Sequence, residues 1–227
     1  MRLDGIVGAL RRAMDHCELI LAPSSEQLDD VFRLRYQVYC VEHGFESAPD
    51  GRERDAFDVS SRHVLIRYRA NHQPVGTVRL VISVPGAAAS RMPITQVSPS
   101  ALLESLPRAR TAEISRFAVS KRYRAEGGMS EPLLRLLLMR GLVALSGELG
   151  LTHWCALMEP CLLRLLRTTA IHFQPAGPLV EYHGLRQPSI GVIGDVLDRM
   201  EREQPAIWDF ITEGGTLWCE QSLMAAA

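Results

Sequence analysis

The sequence lacks the features that mark metal-binding, secreted and membrane-spanning proteins. Its five cysteines are scattered, with no CxxC pair and no His/Cys spacing of the kind that zinc sites use. No run of 18 apolar residues occurs, and charged residues interrupt the first 22 positions, which argues against a signal-peptide core. We therefore expect a cytoplasmic protein with no transmembrane segment, no metal and buried, reduced cysteines.

An excess of charge of either sign is also missing. The sequence has 25 Lys+Arg against 26 Asp+Glu, a formal net charge of −1, so no overall field attracts nucleic acid or an anionic membrane. With 227 residues, 47% of them hydrophobic, the chain can bury one substantial core. We expect a single domain over residues 1–227, with its motifs in residues 24–119 and a second half at 120–215.

Hydrophobic periodicity predicts an alternation of helices and strands. The spacing of Ser24 and Gln27 is that of a capping box and starts a helix that runs to about Tyr39. The remaining predictions are helices at 3–17, 100–106, 130–148, 159–171 and 195–212, and strands at 18–22, 63–70, 75–84, 112–119, 151–158, 180–184 and 189–193. This order is typical of an α/β protein with a mixed central sheet.

Three arginines occupy positions where the pattern is otherwise apolar. Arg35 lies within the apolar stripe of its helix, and Arg79 and Arg116 lie in apolar strands. Because an unpaired guanidinium is costly in such a place, Arg79 and Arg116 each need a carboxylate partner, and Arg35 needs an anion or a cluster of carbonyl groups. The partners are either structural ion pairs or parts of a site. The acidic stretch DGRERDAFD, residues 50–58, is likewise either solvated surface or the lining of a binding site.

A second candidate site lies between a predicted strand and the long helix that follows it. Arg122 and Arg124 precede Gly127 and Gly128, and the helix begins near Ser130. Backbone N–H groups at a helix N-terminus and its dipole favour a phosphate, and glycines allow close approach. An ordinary loop before a helix has the same composition, so this pattern alone leaves both interpretations open.

Four segments together resemble one known family. FRLRYQVYCVEHGFE, DGRERDAFD, PVGTVRLV and EISRFAV occur in the order found in the acyl-homoserine-lactone synthase branch of the GCN5-related N-acyltransferases. The resemblance is strongest to the acyltransferases associated with PEP-CTERM/exosortase systems and to their relatives, the N-acyl amino acid synthases. It implies the GCN5-related N-acyltransferase (acyl-CoA N-acyltransferase) fold, with a V-shaped cleft in a mixed central sheet flanked by helices.

The resemblance also implies roles for individual residues. The catalytic candidates are Glu53, Glu113 and Arg79, and the substrate-binding candidates are Arg35, Tyr39, Phe45, Asp55, Asp58, Ser115, Arg116 and Phe117. The donor would lie between the strands ISRFAV and THWCALM, and Val119, Arg122, Arg124, Gly127, Gly128 and Trp154 would bind it. We expect acyl carrier protein or coenzyme A as the acyl carrier and no tightly bound cofactor. Leu157, Met158 and residues 162–166 either line the acyl chain or are plain core.

Acyl transfer to an amine requires a base, polarisation of the carbonyl and departure of the thiol. No Cys/His or Ser/His pair suggests a covalent intermediate, so direct attack is the simpler hypothesis, with Glu53 or Glu113 as the base. Glu113 and Arg116 are three residues apart and point to opposite faces of a regular strand. If both line one site, the predicted strand at 112–119 must contain a bulge near Ser115–Phe117, and the family that the sequence resembles has a bulge in this strand.

Three functions remain open. The synthases usually have Trp where this sequence has Phe45, so the acceptor is an amino acid or another small amine at least as readily as S-adenosylmethionine. The first hypothesis is an N-acyltransferase, and the second is a homoserine-lactone synthase. The third is an acyl-carrier or lipid-binding protein without turnover, although binding an acyl chain alone does not require charges on core strands. His183 is left outside the site.

Overall fold

The structure, a computed structural model, describes residues 3–21, 23–82 and 92–218, with side chains from residue 8 onward. The helices are α1 (Leu3–His16), α2 (Ser25–Arg35), α3 (Pro93–Val97), α4 (Ala101–Glu104), α5 (Lys121–Gly127), α6 (Glu131–Glu148), α7 (Pro160–Arg167), α8 (Ile193–Glu203) and α9 (Pro205–Thr212). A π-helix (Tyr36–Glu42) continues α2, and 3-10 helices cover Ala56–Ser60 and Arg108–Arg110. The strands are β1 (Cys17–Leu21), β2 (Ser61–Tyr68), β3 (Pro74–Ile82), β4 (Thr111–Val119), β5 (His153–Met158), β6 (Gln174–Pro175), β7 (Val180–Glu181) and β8 (Leu185–Val192).

The described strands form one mixed sheet. Its order is β1-β2-β3-β4-β5-β8-β6, and β7 pairs with β8 beside this path. Strands β4 and β5 are parallel, as a helical crossover between them requires, and the other neighbours are antiparallel. The predicted α/β class with a mixed sheet flanked by helices is therefore confirmed.

Both faces of the sheet are covered. Alternate residues of β2 point to opposite faces: Val64 meets Gly141 of α6, where an added Cβ would lie 2.5 Å from the valine side chain, and Leu65 packs beneath α2. The larger core lies on the α6 side. Its fully buried members include Leu134, Leu137, Leu138, Leu142 and Trp154. The α2 side carries the polar residues of the predicted site.

Two elements differ from the sequence prediction for local reasons. The stretch after β4 contains a short helix, α5, whose N-cap is Ser120: its side chain accepts from Tyr123 N. The predicted helix at 195–212 is broken at Gln204, because Pro205 cannot donate the hydrogen bond that would continue α8. The ends of two predicted strands, Ala22 and residues 83–84, lie outside the described residues.

Candidate active site

Strand β4 contains a bulge. Arg79 of β3 is opposite Ser115 and Thr77 is opposite Ala118, so two steps along β3 match three along β4. The extra residue lies at Arg116–Phe117, and Arg116 has a φ of +50°. The bulge predicted near Ser115–Phe117 is confirmed. It turns the guanidinium of Arg116 to the face that Arg79 and Ser115 share.

The bulged strand then separates from its neighbour. Strands β4 and β5 pair only over Thr111–Glu113 and His153–Cys155, and Ile114–Val119 have no partner in β5. The result is a V-shaped cleft between the two strands. Its floor is at Glu113, and its open end is at Val119 and Met158.

A cluster of three arginines and three carboxylates lies against this part of the sheet, and the ion cluster is defined here as Arg35, Arg79, Arg116, Glu53, Asp55 and Asp58. Arg79 is 1% exposed; its Nη1 donates to Asp55 Oδ1 (2.6 Å) and to Asp58 Oδ1 (2.8 Å), and its Nε donates to Ser115 Oγ (3.0 Å). Every member has an opposite charge as partner, so the ion cluster is internally neutralised.

Two of the arginines meet at Glu53. Arg35 Nε donates to Glu53 Oε2 over 2.5 Å, and Arg116 Nη2 donates to Glu53 Oε1 over 2.9 Å. Arg35 is fully buried, as its position in the apolar stripe of α2 predicts, and its Nη1 reaches Asp58 Oδ1 at 2.7 Å. Glu53 thereby ties α2 to the bulge of β4.

The sequence DGRERDAFD folds so that three of its four acidic residues, Glu53, Asp55 and Asp58, belong to this cluster. Asp55 caps the 3-10 helix Ala56–Ser60 by accepting from Phe57 N, and the Asp58 side chain accepts from Asp55 N, which is a reciprocal capping box. The side chain of Arg54 is 60% exposed and pairs with Asp50, so it points to solvent. The stretch is both a local turn and part of the charged cluster.

The arginines keep the three carboxylates ionised. Burial alone would raise the pKa of Asp58, but the charges and hydrogen bonds of Arg35 and Arg79 outweigh it and lower this pKa to about 2. The pKa of Glu53 and that of Asp55 are also lowered, because hydrogen bonds from the arginines exceed the effect of burial. These three groups therefore act as fixed negative charges.

Glu113 has the opposite character. It is 2% exposed, and burial raises its pKa to about 8, although the N–H of Ile94, which donates to Oε2 over 2.7 Å, and the nearby Arg79 and Arg116 oppose the rise. In the ladders Glu113 is opposite Val81 and Cys155, two residues before Ser115, so it lies on the face of the ion cluster. The carboxyl group of Glu113 therefore gains and loses its proton at neutral to mildly alkaline pH.

The predicted aromatic residues lie in three different places. Tyr39 lies on the π-helix with its ring 5.4 Å from the guanidinium of Arg116, and Phe117 packs against the larger core. Phe45 is 41% exposed, stacks on His43 at 5.1 Å and lies 6.1 Å from the ring of His183. Tyr39 therefore contacts the ion cluster directly, whereas Phe45 is exposed beside His43 and His183.

The segment at residues 42–46 contacts both sides of the cleft. Glu42 accepts from Ser120 Oγ (2.6 Å) and from Lys121 N (2.9 Å), directly after β4. Glu46 Oε1 lies 3.3 Å from His183 Nε2, in the turn before β8, which pairs with β5. Residues 42–46 thus reach from the β4 side to the β8 side.

The predicted donor-binding residues fall into two groups. Val119 ends β4, Arg122 and Arg124 lie on α5, and Gly127 and Gly128 form the turn into α6. Arg122 pairs with Glu126 over 3.1 Å, and Arg124 with Glu131 over 3.4 Å. Trp154 is separate: it is fully buried in the larger core, and its Nε1 donates to Ser146 Oγ over 2.9 Å.

Two polar residues at the site were not predicted from the sequence. His63 is 4% exposed and opposite Arg79 in the β2–β3 ladder, and Glu42 caps the N-terminus of α5. Glu42 meets residues almost 80 positions away, which no local pattern signals. His63 and Ser61 are two positions apart and therefore lie on the same face of β2, whose other residues are mainly apolar. This spacing is a weak signal that polar side chains point inward on that face.

The described part of the chain shows neither a metal site nor a membrane span. Within residues 3–21, 23–82 and 92–218, no group of three or more His, Cys, Asp or Glu side chains is arranged to hold a metal ion. In the same ranges, no helix combines the length and apolar character that crossing a membrane requires.

Comparisons with known proteins agree with this geometry. A family model described as an acetyltransferase (GNAT) domain matches residues 34–132, which contain the bulge and the whole ion cluster. A search of curated protein sequences found no significant match.

Similar solved structures include a CoA-dependent acyl-homoserine lactone synthase, BjaI, with SAM and isopentyl-CoA (22% identity, TM-score 0.61, 82% of this chain and 88% of that one). They also include the AHL synthase LasI (18%, 0.62, 78% and 89%) and FeeM, an N-acyl amino acid synthase from uncultured soil microbes (13%, 0.62, 83% and 97%).

The fold is therefore that of the GNAT acyltransferases. The acetyltransferase (GNAT) domain model matches residues 34–132, and the structural neighbours are acyl-homoserine-lactone synthases and an N-acyl amino acid synthase, which is the class that the sequence motifs resemble. The domain match supports an acyltransferase of the GNAT kind.

Proposed function

We propose that this protein transfers a fatty acyl group from a carrier thioester to the amine of an amino acid or a related small amine. The observation that carries the proposal is the position of Glu113, a buried carboxyl group with raised proton affinity, at the floor of the β4–β5 cleft beside the ion cluster. A base of this kind and an open strand edge are what aminolysis of a thioester needs.

Of the two candidate bases, Glu113 is favoured over Glu53. Two arginines hold Glu53 and lower its pKa, so its affinity for a proton is too small for a base at neutral pH. Glu113 has a pKa of about 8 and faces the same side as Ser115 and Arg79. Its ionised form would accept the ammonium proton of the acceptor, directly or through one water.

The reaction then needs no covalent enzyme intermediate. The freed nitrogen lone pair attacks the thioester carbonyl carbon, a C–N bond forms and the carbonyl oxygen becomes an oxyanion. Collapse of this intermediate breaks the C–S bond, and the thiolate leaves. The amide nitrogen loses its second proton, and the thiolate takes up a proton, so that an amide and a free thiol are the products. The N–H groups of β4 beyond Glu113 that face β5 have no ladder partner in that strand, so they are available to a carbonyl in the cleft.

The ion cluster has a positioning role in this proposal. Its charges already balance, so it holds Ser115, the bulge and the α2 face in fixed relation before any substrate arrives. Asp55, with a side chain 27% exposed, and Arg116, at 15%, are its most accessible members, and we assign the acceptor contact to them. Tyr39 and Phe45 would complete the acceptor side.

The donor would lie along the open edge of β4. A pantetheine arm would pair with β4 as a strand does, and its phosphate would lie near α5 and the Gly127-Gly128 turn. Arg122 and Arg124 suit the phosphates of coenzyme A and an acidic carrier protein equally well. Acyl-CoA and acyl-ACP are therefore both donors to test.

A homoserine-lactone synthase that uses S-adenosylmethionine is the second candidate, because the structural neighbours include the acyl-homoserine lactone synthases BjaI and LasI. The two candidates differ in their products. A lactone synthase releases methylthioadenosine, whereas an N-acyl amino acid synthase gives a free thiol and an N-acyl amino acid only.

The experiment is mass spectrometry of reactions that contain the purified protein, acyl-CoA or acyl-ACP of graded chain length, and either an amino acid mixture or S-adenosylmethionine. The Glu113→Gln variant is the matched control. A new N-acyl amine that depends on Glu113 would support the proposal. Absence of any acylated product with all donors and acceptors, while the folded protein still binds the carrier, would favour the non-catalytic alternative.

A further inference from the structure

His63 is an uncharged side chain that lies beside the ion cluster. It lies on β2 directly opposite Arg79, on the face of the sheet that carries the ion cluster, and its ring meets Phe32 of α2 edge-on at 6.1 Å. The imidazole Nε2 is 3.6 Å from Asp58 Oδ1. That oxygen is the one that Arg35 and Arg79 share, at 2.7 and 2.8 Å.

Several buried polar atoms around His63 have no hydrogen-bond partner among the described residues. Among the described residues, both ring nitrogens of His63 and the Nη2 of Arg35 are buried without a partner. Buried polar atoms almost always have a hydrogen-bond partner, and leaving one unpaired costs about 1–3 kcal/mol. An apolar residue would fill this space without that cost, which favours a polar role for the imidazole.

The residues around His63 determine its protonation state. Burial lowers the pKa of His63 to about 4, with Arg35 and Arg79 acting in the same direction and Asp58 and Asp55 opposing them. The ring is therefore neutral at physiological pH, with one nitrogen as donor and the other as acceptor. Within the described part of the chain, Asp58 Oδ1 lies 3.6 Å from Nε2, so the tautomer that can donate to this oxygen carries its proton on Nε2.

We propose that His63 is a positioning residue of the acyl-transfer site, which donates its Nε2–H to Asp58 Oδ1 and so fixes the oxygen on which Arg35 and Arg79 converge. A shift of under one ångström makes this contact a hydrogen bond. Through Asp58 it sets the place of Arg79, which holds Ser115 at the bulge. This inference rests on the proposed acyl transfer.

The test compares two polar substitutions that differ in reach. In His63→Gln the side-chain amide nitrogen takes the place of Nε2, whereas in His63→Asn the amide ends at the level of Nδ1, too short for Asp58. We expect kcat for acyl transfer within about threefold of the original protein in H63Q. In H63N we expect a fall on the order of 10- to 100-fold, with the donor KM changed less than about twofold.

The controls separate this role from packing. If H63N retains the activity of the original protein, or if H63Q is as impaired as H63N, the positioning role is wrong. Denaturant unfolding of both variants shows whether each remains folded at the assay temperature. A His63→Leu variant adds a third point, because an apolar residue of similar size would restore activity if packing alone were the requirement.

A further readout does not depend on activity. Imidazole ¹⁵N resonances, assigned to His63 by comparison with H63Q, report the tautomer directly, and we expect the Nε2–H form at pH 7. An Nδ1–H form would overturn the inference whatever the kinetics. If the original protein shows the Nε2–H form but no acyl transfer with any donor, the proposed function fails while the contact to Asp58 stands.

Discussion

Arg79 and Asp55 meet as a two-point ion pair, with Nη1 to Oδ1 at 2.6 Å and Nη2 to Oδ2 at 3.0 Å. The parallel contacts use the fork of the guanidinium, which a single ammonium cannot reproduce. Because Arg79 also binds Ser115 of the bulge, this pair connects the acidic stretch to β4. Its geometry is therefore a requirement for the shape of the cleft.

Replacing Arg79 with lysine tests that requirement. Arg79→Lys retains the charge but loses the fork and the contact to Ser115, so we expect a loss of about 2 kcal/mol or more in the free energy of unfolding. We also expect acyl transfer to fall by about 100-fold. Arg54→Lys is the matched control, since the Arg54–Asp50 pair is exposed at 60% and 46% and should change stability by less than about 0.5 kcal/mol. Equal effects of the two substitutions would contradict the role of Arg79.

The pH dependence of the rate should report Glu113. Because the base must be ionised and burial raises its pKa to about 8, kcat/KM should rise with pH through a midpoint near 8. The Glu113→Gln variant should lack this limb and retain at most about 1% of the activity. Measurements from pH 6 to 9.5, with two acceptor amines of different ammonium pKa, distinguish the enzyme group from the substrate. A midpoint that follows the amine instead would assign the limb to the acceptor.

The pH dependence of stability should show two opposed slopes. His63 has a pKa of about 4 in the folded chain and 6.5 ordinarily, so the unfolded chain binds the extra proton and stability falls as pH drops from 6.5 towards 4. Glu113 has a pKa of about 8 against 4.5, so the folded chain holds the extra proton and stability falls as pH rises from 4.5 towards 8.

Two variants separate these slopes. As pH falls from 8 to 5, protonation linked to His63 should lower the free energy of unfolding of the original protein by about 2 kcal/mol. Over the same range, protonation linked to Glu113 should raise it by about 3 kcal/mol. Urea unfolding across this range should show the first effect vanish in His63→Gln and the second in Glu113→Gln. A profile of either variant parallel to that of the original protein would show that the pKa of the substituted group does not change on folding.

The turn into α6 is packed too closely for a side chain. A Cβ added at Gly127 would lie 2.1 Å from Cζ of Tyr68 and 2.3 Å from its hydroxyl oxygen, so Gly127→Ala should lower the free energy of unfolding by about 1–3 kcal/mol. Gly8→Ala on α1 is the control, since its nearest contact would be the end of Arg12 at 3.4 Å and alanine favours a helix. Thermal unfolding of both variants tests the contrast.

The hydroxyl of Tyr68 gives a related prediction. Tyr68 is 7% exposed, burial raises its pKa to about 12, and its hydroxyl has no hydrogen-bond partner among the described residues. Removing a buried polar group without a partner costs nothing, so Tyr68→Phe should leave stability unchanged or raise it by up to about 1 kcal/mol. A clear loss in denaturant unfolding would mean that the hydroxyl is hydrogen-bonded in solution.

Most of the fold follows from local patterns. The capping box of Ser24 and Gln27, the alternation in β2 and β3, and the long apolar helix α6 are each encoded within a few residues, and each is present. The bulge was predictable because the family that the sequence resembles has one in this strand, and because Glu113 and Arg116 could not both line one site on a regular strand. What failed were short elements such as α3 and α5, which contain too few residues for periodicity to register.

The site was predictable where a residue conflicts with its surroundings. Arg35 in an apolar stripe signals a buried ion pair at any distance along the chain. The partner itself is less visible: Arg116 meets Glu53 across 63 positions, and only the resemblance to a family brought these residues together. His63 remained hidden, because one histidine in a buried strand is usually plain core, and its significance lies in bonds that only coordinates reveal.

The separation of β4 from β5 has a consequence for the folding and handling of the protein. Beyond Glu113, two strands carry unpaired backbone groups inside the molecule, which makes them internal sheet edges. Exposed edges recruit other strands, so a partly unfolded chain should associate through this seam. A bound acyl-pantetheine thioester would occupy the seam as an extra strand. It should therefore slow aggregation and proteolysis, and the protein would be best purified with its donor present.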